Sequence, residues 1–369
     1  MNNNSVTGML DTIIIGGGQA GLTLAHHLKR QQRNFLILDA NPRTGDAWRQ
    51  RWDSLRLFTP AKYDGLPGEP FPADALSFPT KDEVAGYLEG YAERNALPVL
   101  HSTRVERLWR EGGHFVAAAS DGRRWEAHNA VVATGVSQAP GIPGFAADLA
   151  PSTTQLHSAE YRNPGQLQAG PVLVVGLGNS GAEIALEVSR THPTTVAGKP
   201  GGELPVKHGR TAARFVLPVV RFLGLHVLNL GTPVGRKAAP AFKAHAAPLI
   251  RTKTKDLAAA GVSLAPRVTG VADGKPVLAD GTRVDANNVI WCTGFREDFS
   301  WIDPELLDGG ALPPQHRGVA LDTPGLFFLG QEFLYAAASA TLPGAGRDAR
   351  YLAGKIPQLG RIDVLPMRQ

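Results

Sequence analysis

The chain has 369 residues, enough for two or three domains, and 43% of them are hydrophobic, enough to fill their cores. Lys plus Arg number 38 against 33 for Asp plus Glu. That net +5 is mild for this length, and without a long basic run interleaved with aromatics it excludes a nucleic-acid platform. The single cysteine, Cys292, excludes an internal disulfide and a two-cysteine redox centre, and suits a reducing, cytoplasmic compartment.

The start, Met1-Asn2-Asn3-Asn4-Ser5, has no basic region, so the apolar run after it reads as a core strand and not a signal peptide. Thr12-Ile13-Ile14-Ile15 runs into Gly16-Gly17-Gly18-Gln19-Ala20-Gly21, a G-x-G-x-x-G turn at Gly16, Gly18 and Gly21. The first glycine permits the tight turn, the second a close approach of pyrophosphate, and the third the packing of the next helix. That helix presents its free N–H groups to the phosphates. Phe35-Leu36-Ile37-Leu38 then ends in Asp39, placed to hold ribose hydroxyls. Residues 41–60 read as a loop suited to a cofactor ring, with Trp48 in it, and 60–80 as an extended Pro- and Gly-rich loop.

Thr80-Lys81-Asp82-Glu83 predicts a helix cap, followed by an apolar face at Val84, Tyr87, Leu88 and Tyr91. Residues 103–125 predict hairpins turning at Gly112-Gly113 and Asp121-Gly122. Ala130-Val131-Val132-Ala133 is a buried strand ending in Thr134-Gly135, well placed to meet the same cofactor. The opening device then repeats: Pro171 to Val175, then Gly176, Gly178 and Gly181, and a helix from Ala182 to Arg190. After the strand Thr194–Ala197 the acid is replaced by Lys199, a cation suited to a 2′-phosphate.

Residues 200–260 are basic and apolar and read as a helical hairpin or lid broken by Pro218. Short strands occupy 261–286, and Val289 to Phe295 reads as a second apolar strand ending in Thr293-Gly294, the echo of Thr134-Gly135. Gly16 to Thr134 spans 118 positions and Gly176 to Thr293 spans 117, the mark of an internal duplication. Leu326–Leu329 reads as a last buried strand ending at Gly330-Gln331. A turn at Gly344-Ala345-Gly346 and a helix from Arg347 to Ile356 follow. Two dinucleotide motifs in one chain imply a flavin facing a nicotinamide.

On these motifs the chain resembles the class B flavin monooxygenases, which include flavin-containing, Baeyer–Villiger and YUCCA-type enzymes. Gly45-Asp46-Ala47-Trp48, Asp53 to Pro60, Gln155 to Tyr161 and Trp291 to Phe295 also carry the resemblance. It implies an α/β fold of two Rossmann-like domains: an FAD domain of residues 1–150 plus 295–369 and an NAD(P)H domain of 151–294, with a helical insert at about 205–258. It implies that NAD(P)H reduces FAD, that oxygen adds at the flavin C4a, and that the (hydro)peroxide passes one oxygen atom to a small S-, N- or carbonyl-containing substrate. FAD would be held by Gly16, Gly18, Gln19, Ala20, Gly21, Asp39, Ala47, Trp48, Val105, Thr134, Gly135, Gly330 and Gln331. NADPH, or NADH, would be held by Gly176, Gly178, Asn179, Ser180, Gly181, Lys199, Thr293 and Gly294. The chemistry would be carried by the flavin and the catalytic residues stay unassigned; Phe58, Thr59 and His157 are the side chains singled out for any direct part, His157 being expected rather to link the two domains, and no metal is expected.

The family fingerprint F-x-G-x-x-x-H-(W/S) is matched at His157-Ser158, while Pro151 and Thr153 stand at its Phe and Gly positions. Larger relatives carry an Asn in the loop matched by Leu57-Phe58-Thr59-Pro60; none is present here. Two other readings stay open at this point: a flavin reductase serving a quinone or protein partner, and a non-enzymatic nucleotide sensor. The sequence shows no transmembrane segment, and a homodimer is left open.

Overall fold

The computed structural model describes residues 8–244, 247–309 and 311–357, the side chains of 243 and 244 excepted. Met1–Ser5 and residues 358–369 of the expected FAD domain lie outside these.

β1 (Leu10–Ile15) turns at Gly16 into α1 (Gln19–Arg30), and β2 (Phe35–Leu38) follows. The side chains of Ile13 to Ile15 are buried on both faces of the strand, as a central parallel strand requires. The 41–60 loop contains one helical turn, α2 (Asp46–Arg49), which the sequence pattern did not predict. α3 (Lys81–Arg94) starts with a full capping box: Glu83 N donates to Thr80 Oγ1 at 3.2 Å and Thr80 N to the Glu83 carboxylate at 2.7 Å. Next come β3 (Val99–Leu100) and the hairpins β4 (Val105–Glu111), β5 (His114–Ala119) and β6 (Arg124–Val132), turning where expected.

β7 (Ala139–Pro140) and β8 (Thr154–His157) lead to β9 (Val172–Val175) and α4 (Asn179–Val188). α4 begins three residues before the expected Ala182, because Gly178 is its N-cap. After β10 (Thr194–Ala197), the insert forms α5 (Arg210–Phe215), α6 (Leu217–Phe222), a π-helical turn at Leu223–Val227 and α7 (Pro233–Ala244). The break falls at Val216 and not at Pro218. Pro218 sits in the first turn of α6, where its missing N–H leaves no bond unmade.

α8 (Thr254–Ala259), β11 (Ser263–Ala265), β12 (Val268–Ala272), β13 (Lys275–Leu278) and β14 (Asn288–Trp291) follow. β15 (Phe295–Arg296), β16 (Gln315–His316), β17 (Val319–Ala320), β18 (Leu326–Phe328) and α9 (Leu342–Ala353) complete the chain. The expected strand Val289 to Phe295 is thus two strands with Cys292-Thr293-Gly294 between them. The expected turn at Gly344-Ala345-Gly346 lies inside α9. A Cβ at Gly344 would collide with the Ala338 carbonyl, so this glycine serves helix packing and not a turn.

Two sheets organise the chain. The larger, nine-stranded among the described residues, has parallel strands β18-β6-β1-β2-β3, extended by antiparallel β17-β16 at one edge and by the β4-β5 hairpins on β6. The smaller is wholly parallel, in the order β11-β10-β9-β14-β8. The runs β6-β1-β2-β3 and β14-β9-β10-β11 have the same order, which is the duplication in three dimensions. α1, α3 and α9 cover one face of the larger sheet through Leu22, Leu88 and Leu352; the hairpins cover the other through Phe115 and Trp125. α4 and α8 pack on the smaller sheet through Ile184 and Leu257, and Trp52, reaching over from the segment after β2, joins that core.

Candidate functional site

The two glycine turns are built alike. A Cβ on Gly16, at φ 111°, would stand 2.5 Å from the Ala133 carbonyl oxygen, and a Cβ on Gly176, at φ 106°, would strike that of Cys292. Gly21 and Gly181 press α1 and α4 onto the carbonyls of Gly16 and Gly176, where a Cβ would overlap the oxygen. Each turn therefore butts against the end of its neighbouring strand, just before Thr134-Gly135 in one case and Thr293-Gly294 in the other. Gly135 and Gly294 share a left-handed backbone, φ 73° and 80°.

Around the first turn, Asp39 is buried and its carboxylate accepts from Gly17 N at 2.5 Å and Asn41 N at 2.7 Å. Its side chain thus ties the end of β2 to the backbone of the glycine turn. Trp48 Nε1 donates to Gln19 Oε1 at 3.3 Å, and Ala47 beside it is exposed. Gly330, at φ 79°, sits against Ala20, so the end of β18 reaches the start of α1. Gln331 is buried and donates to the Gly135 carbonyl at 3.3 Å. Val105 opens β4, two residues beyond Thr103, whose N–H bonds the Asp39 carbonyl at 2.8 Å.

Around the second turn, Asn179 is already engaged with the insert: Nδ2 donates to the Pro248 carbonyl at 3.0 Å and Oδ1 accepts from Ile250 N at 2.9 Å. Ser180 follows it in the first turn of α4, and Lys199 is exposed just past β10. A cleft of about 520 Å³ runs along the C-terminal half of α4 past Glu183, Glu187 and Arg190, not along its glycine-capped N-terminus.

The junction between the sheets is knitted at Gly294. Its carbonyl accepts from His157 Nε2 at 3.0 Å and Gly141 N at 2.9 Å. His157 is fully buried, and its Nδ1 accepts from Ala159 N at 3.2 Å. The ring is therefore the neutral Nε2–H tautomer, and burial holds its pKa below the usual value. Gln138, which the sequence reading missed, donates to Thr134 Oγ1 at 3.1 Å and Gly135 O at 2.8 Å and accepts from Asp298 N at 2.6 Å. A polar residue between a strand end and the Pro140 boundary was its only signal.

The 55–66 loop is anchored to the insert. The Phe58 carbonyl accepts from His208 Nε2 at 2.9 Å and the Arg56 carbonyl from Arg251 at 2.6 Å. Thr59 Oγ1 donates to Asp64 Oδ1 at 2.6 Å. Asp64 is fully buried, its other oxygen has no partner among the described residues, and desolvation pushes its carboxyl up to about 7. Nothing in the sequence singled it out. Cys292 is half-buried, and desolvation of its thiol pushes the pKa up to about 12, so it stays protonated.

Three features test whether dinucleotides fit. The space where a Cβ of Gly18 would stand is open. α1 and α4 both start without a side-chain cap or an acid in the first turn, leaving their N-terminal N–H groups for an anion. Gln331 Oε1 and Thr293 Oγ1 are buried without a partner among the described residues. The residues fit.

Fold and site define a two-dinucleotide-domain flavoprotein oxidoreductase. The pyridine nucleotide-disulphide oxidoreductase family matches residues 13–202. An uncharacterised CzcO-like oxidoreductase of Geobacillus kaustophilus is 37% identical over 94% of this chain and 98% of its own. A flavin-containing monooxygenase of Stenotrophomonas maltophilia is 31% identical, with a TM-score of 0.73 over 95% of this chain and 98% of that one. A probable indole-3-pyruvate monooxygenase of Arabidopsis thaliana, YUCCA3, is 28% identical over 82% of this chain and 77% of its own. The chain belongs to the class B flavin monooxygenase family, an enzyme family that works with FAD and NADPH.

Proposed function

We propose that this enzyme consumes NADPH and dioxygen and inserts one oxygen atom into a small organic compound bearing sulfur, nitrogen or a carbonyl. The observation that carries the reading is the pair of equivalent glycine turns, each closed by its own Thr-Gly strand end, with a single cysteine held as a thiol. A relay through an internal cysteine pair would need a second thiol; the chain has none.

In this reading the larger sheet, with residues 1–150 and 295–369, binds FAD. Gly16, Gly18 and Gly21 admit the pyrophosphate to the start of α1, Gln19 and Ala20 supply N–H groups there, and Asp39 receives the ribose. Ala47, Trp48, Val105, Thr134, Gly135, Gly330 and Gln331 line the rest. The smaller sheet, with 151–294, binds NADPH through Gly176, Gly178, Ser180 and Gly181. Asn179 sets the insert against that site, and Lys199 offers a cation to the 2′-phosphate. Thr293 and Gly294 stand between the two cofactors.

Bound FAD supplies the redox chemistry and oxygen activation. The protein's part is orientation and exclusion of water. His157, kept neutral by burial, fixes Gly294 through its Nε2–H and takes no proton. Gln138 fixes Thr134. Phe58 and Thr59, on a loop pinned by His208 and Arg251, face the substrate side. Incubation with NADPH, air and a model thioether yields a sulfoxide; recovery of all reducing equivalents as hydrogen peroxide refutes the assignment.

A further inference from the structure

The insert carries a feature that the proposed chemistry does not use. Of the large hydrophobic side chains exposed among the described residues, Phe215, Val219, Val220, Phe222, Leu223 and Val234 cluster within 20 positions, and Phe215 and Phe222 are 64% and 57% exposed. Phe215, at the end of α5, Val219 and Phe222 on α6, and Leu223 at the start of the π-helical turn follow the spacing i, i+4, i+7, i+8, the spacing of one side of a helical ribbon. The opposite side of the same ribbon, at Ala212, Ala213, Leu217 and Leu225, is buried on the protein. The ribbon is therefore apolar on both faces, and only one face is used. Scattered exposed apolar residues are ordinary; a contiguous apolar patch along one side of a ribbon marks a docking surface.

The charge around that face selects the partner. Residues 205–258 contain ten Lys and Arg and a single acid, Asp256, while the rest of the chain has 28 Lys and Arg against 32 acids. The molecule is thus polarised, net −4 outside the insert and +9 within it. Arg210 and Arg251 spend their charge on Asp74 and Glu183. Arg214 lies over the Phe215 ring and Arg221 over Tyr63, both exposed beside the apolar face. Arg236 and Lys237, also exposed, follow on α7. A second copy of this chain would bring the same positive face against itself, so self-association through the patch is electrostatically opposed.

We propose that the insert docks on an anionic phospholipid bilayer, its Phe and Leu side chains entering the interface while the flanking arginines meet lipid phosphates. No described helix is long and apolar enough to cross a membrane, so the contact is peripheral and reversible. The same insert holds the 55–66 loop through His208 and Arg251, so the docked enzyme would present that loop to substrates arriving from the lipid.

The test uses the FAD-loaded full chain and extruded vesicles of phosphatidylcholine, alone or with about a third phosphatidylglycerol, scored by co-sedimentation. The protein binds the anionic vesicles and is released by high salt. Phe215→Ser with Phe222→Ser lowers apparent affinity at least about tenfold, and Arg214→Gln with Arg221→Gln lowers it on anionic vesicles alone. Both variants keep bound flavin and the NADPH oxidation rate measured without vesicles, which separates docking from folding and from the catalytic reading. Any of four results overturns the proposal: no binding to anionic vesicles; binding that survives the double Phe substitution; heparin binding as tight as vesicle binding and indifferent to the Phe residues; or a solution dimer that the Phe substitutions dissociate.

Discussion

Replacing Asp64 by Asn should stabilise the protein, and only above a definite pH. The carboxyl ionises near 3.8 in an unfolded chain and near about 7 in the folded one. The folded state therefore retains a proton that the unfolded state releases, so stability falls as pH rises through this window. The penalty is absent below pH 3.8, grows up to about 7 and is complete above it. At about 1.36 kcal/mol per unit, the shift corresponds to about 4 kcal/mol. An amide cannot ionise, and its oxygen can still accept from Thr59 Oγ1. Urea unfolding of the wild type and Asp64→Asn from pH 5 to 8.5 should give a difference curve that climbs with pH to about 4 kcal/mol in favour of the variant.

The difference curve is needed because His27 acts with the opposite sign. Desolvation first, and then His26, hold its pKa down at about 4, so its penalty appears as pH falls below 6.5. It is present in both proteins and cancels. A flat difference, or an Asp64→Asn variant that is less stable at pH 8, refutes the account of this carboxyl.

Gly21→Ala and Gly181→Ala place equivalent methyl groups on the Gly16 and Gly176 carbonyls, each costing about 1–3 kcal/mol of strain. The first should purify with little or no flavin, seen as lost visible absorbance. The second should stay yellow but raise KM for NADPH at least about tenfold. Lys199→Ala should raise KM for NADPH about five- to tenfold and leave NADH unchanged, since an exposed cation on a phosphate contributes about 1 kcal/mol; equal effects on both cofactors would remove Lys199 from the 2′-phosphate. Cys292→Ala should lower stability by about 1 kcal/mol and leave NADPH oxidation intact; loss of turnover with flavin still bound would revive thiol chemistry.

The parts that local physics determines could be read from the sequence. β1 and β9 are short apolar runs that end in glycine because a strand buried on both faces must turn tightly into its helix. Thr80 and Glu83 announced α3 because the capping box is a contact between near neighbours. Long-range pairing was less legible. Trp52 follows the first nucleotide strand yet packs in the core of the second sheet, and no pattern around it says so. Gly344 looks like a turn residue, but it is a glycine because the Ala338 carbonyl leaves no room for a Cβ in the helix. Asn179, expected at the nucleotide, has both ends of its amide bonded to residues 248 and 250, a partnership set by the path of the insert. Asp64 is an ordinary loop aspartate in sequence; only the packing of residues 57–71 deprives it of water.

Turnover with isotopically heavy dioxygen tests the central claim most directly. With NADPH and a thioether, the account predicts a sulfoxide one heavy oxygen atom above its unlabelled mass, formed in proportion to the NADPH consumed. NADPH consumed with no labelled product, its electrons recovered in hydrogen peroxide or in an added quinone under nitrogen, would contradict it.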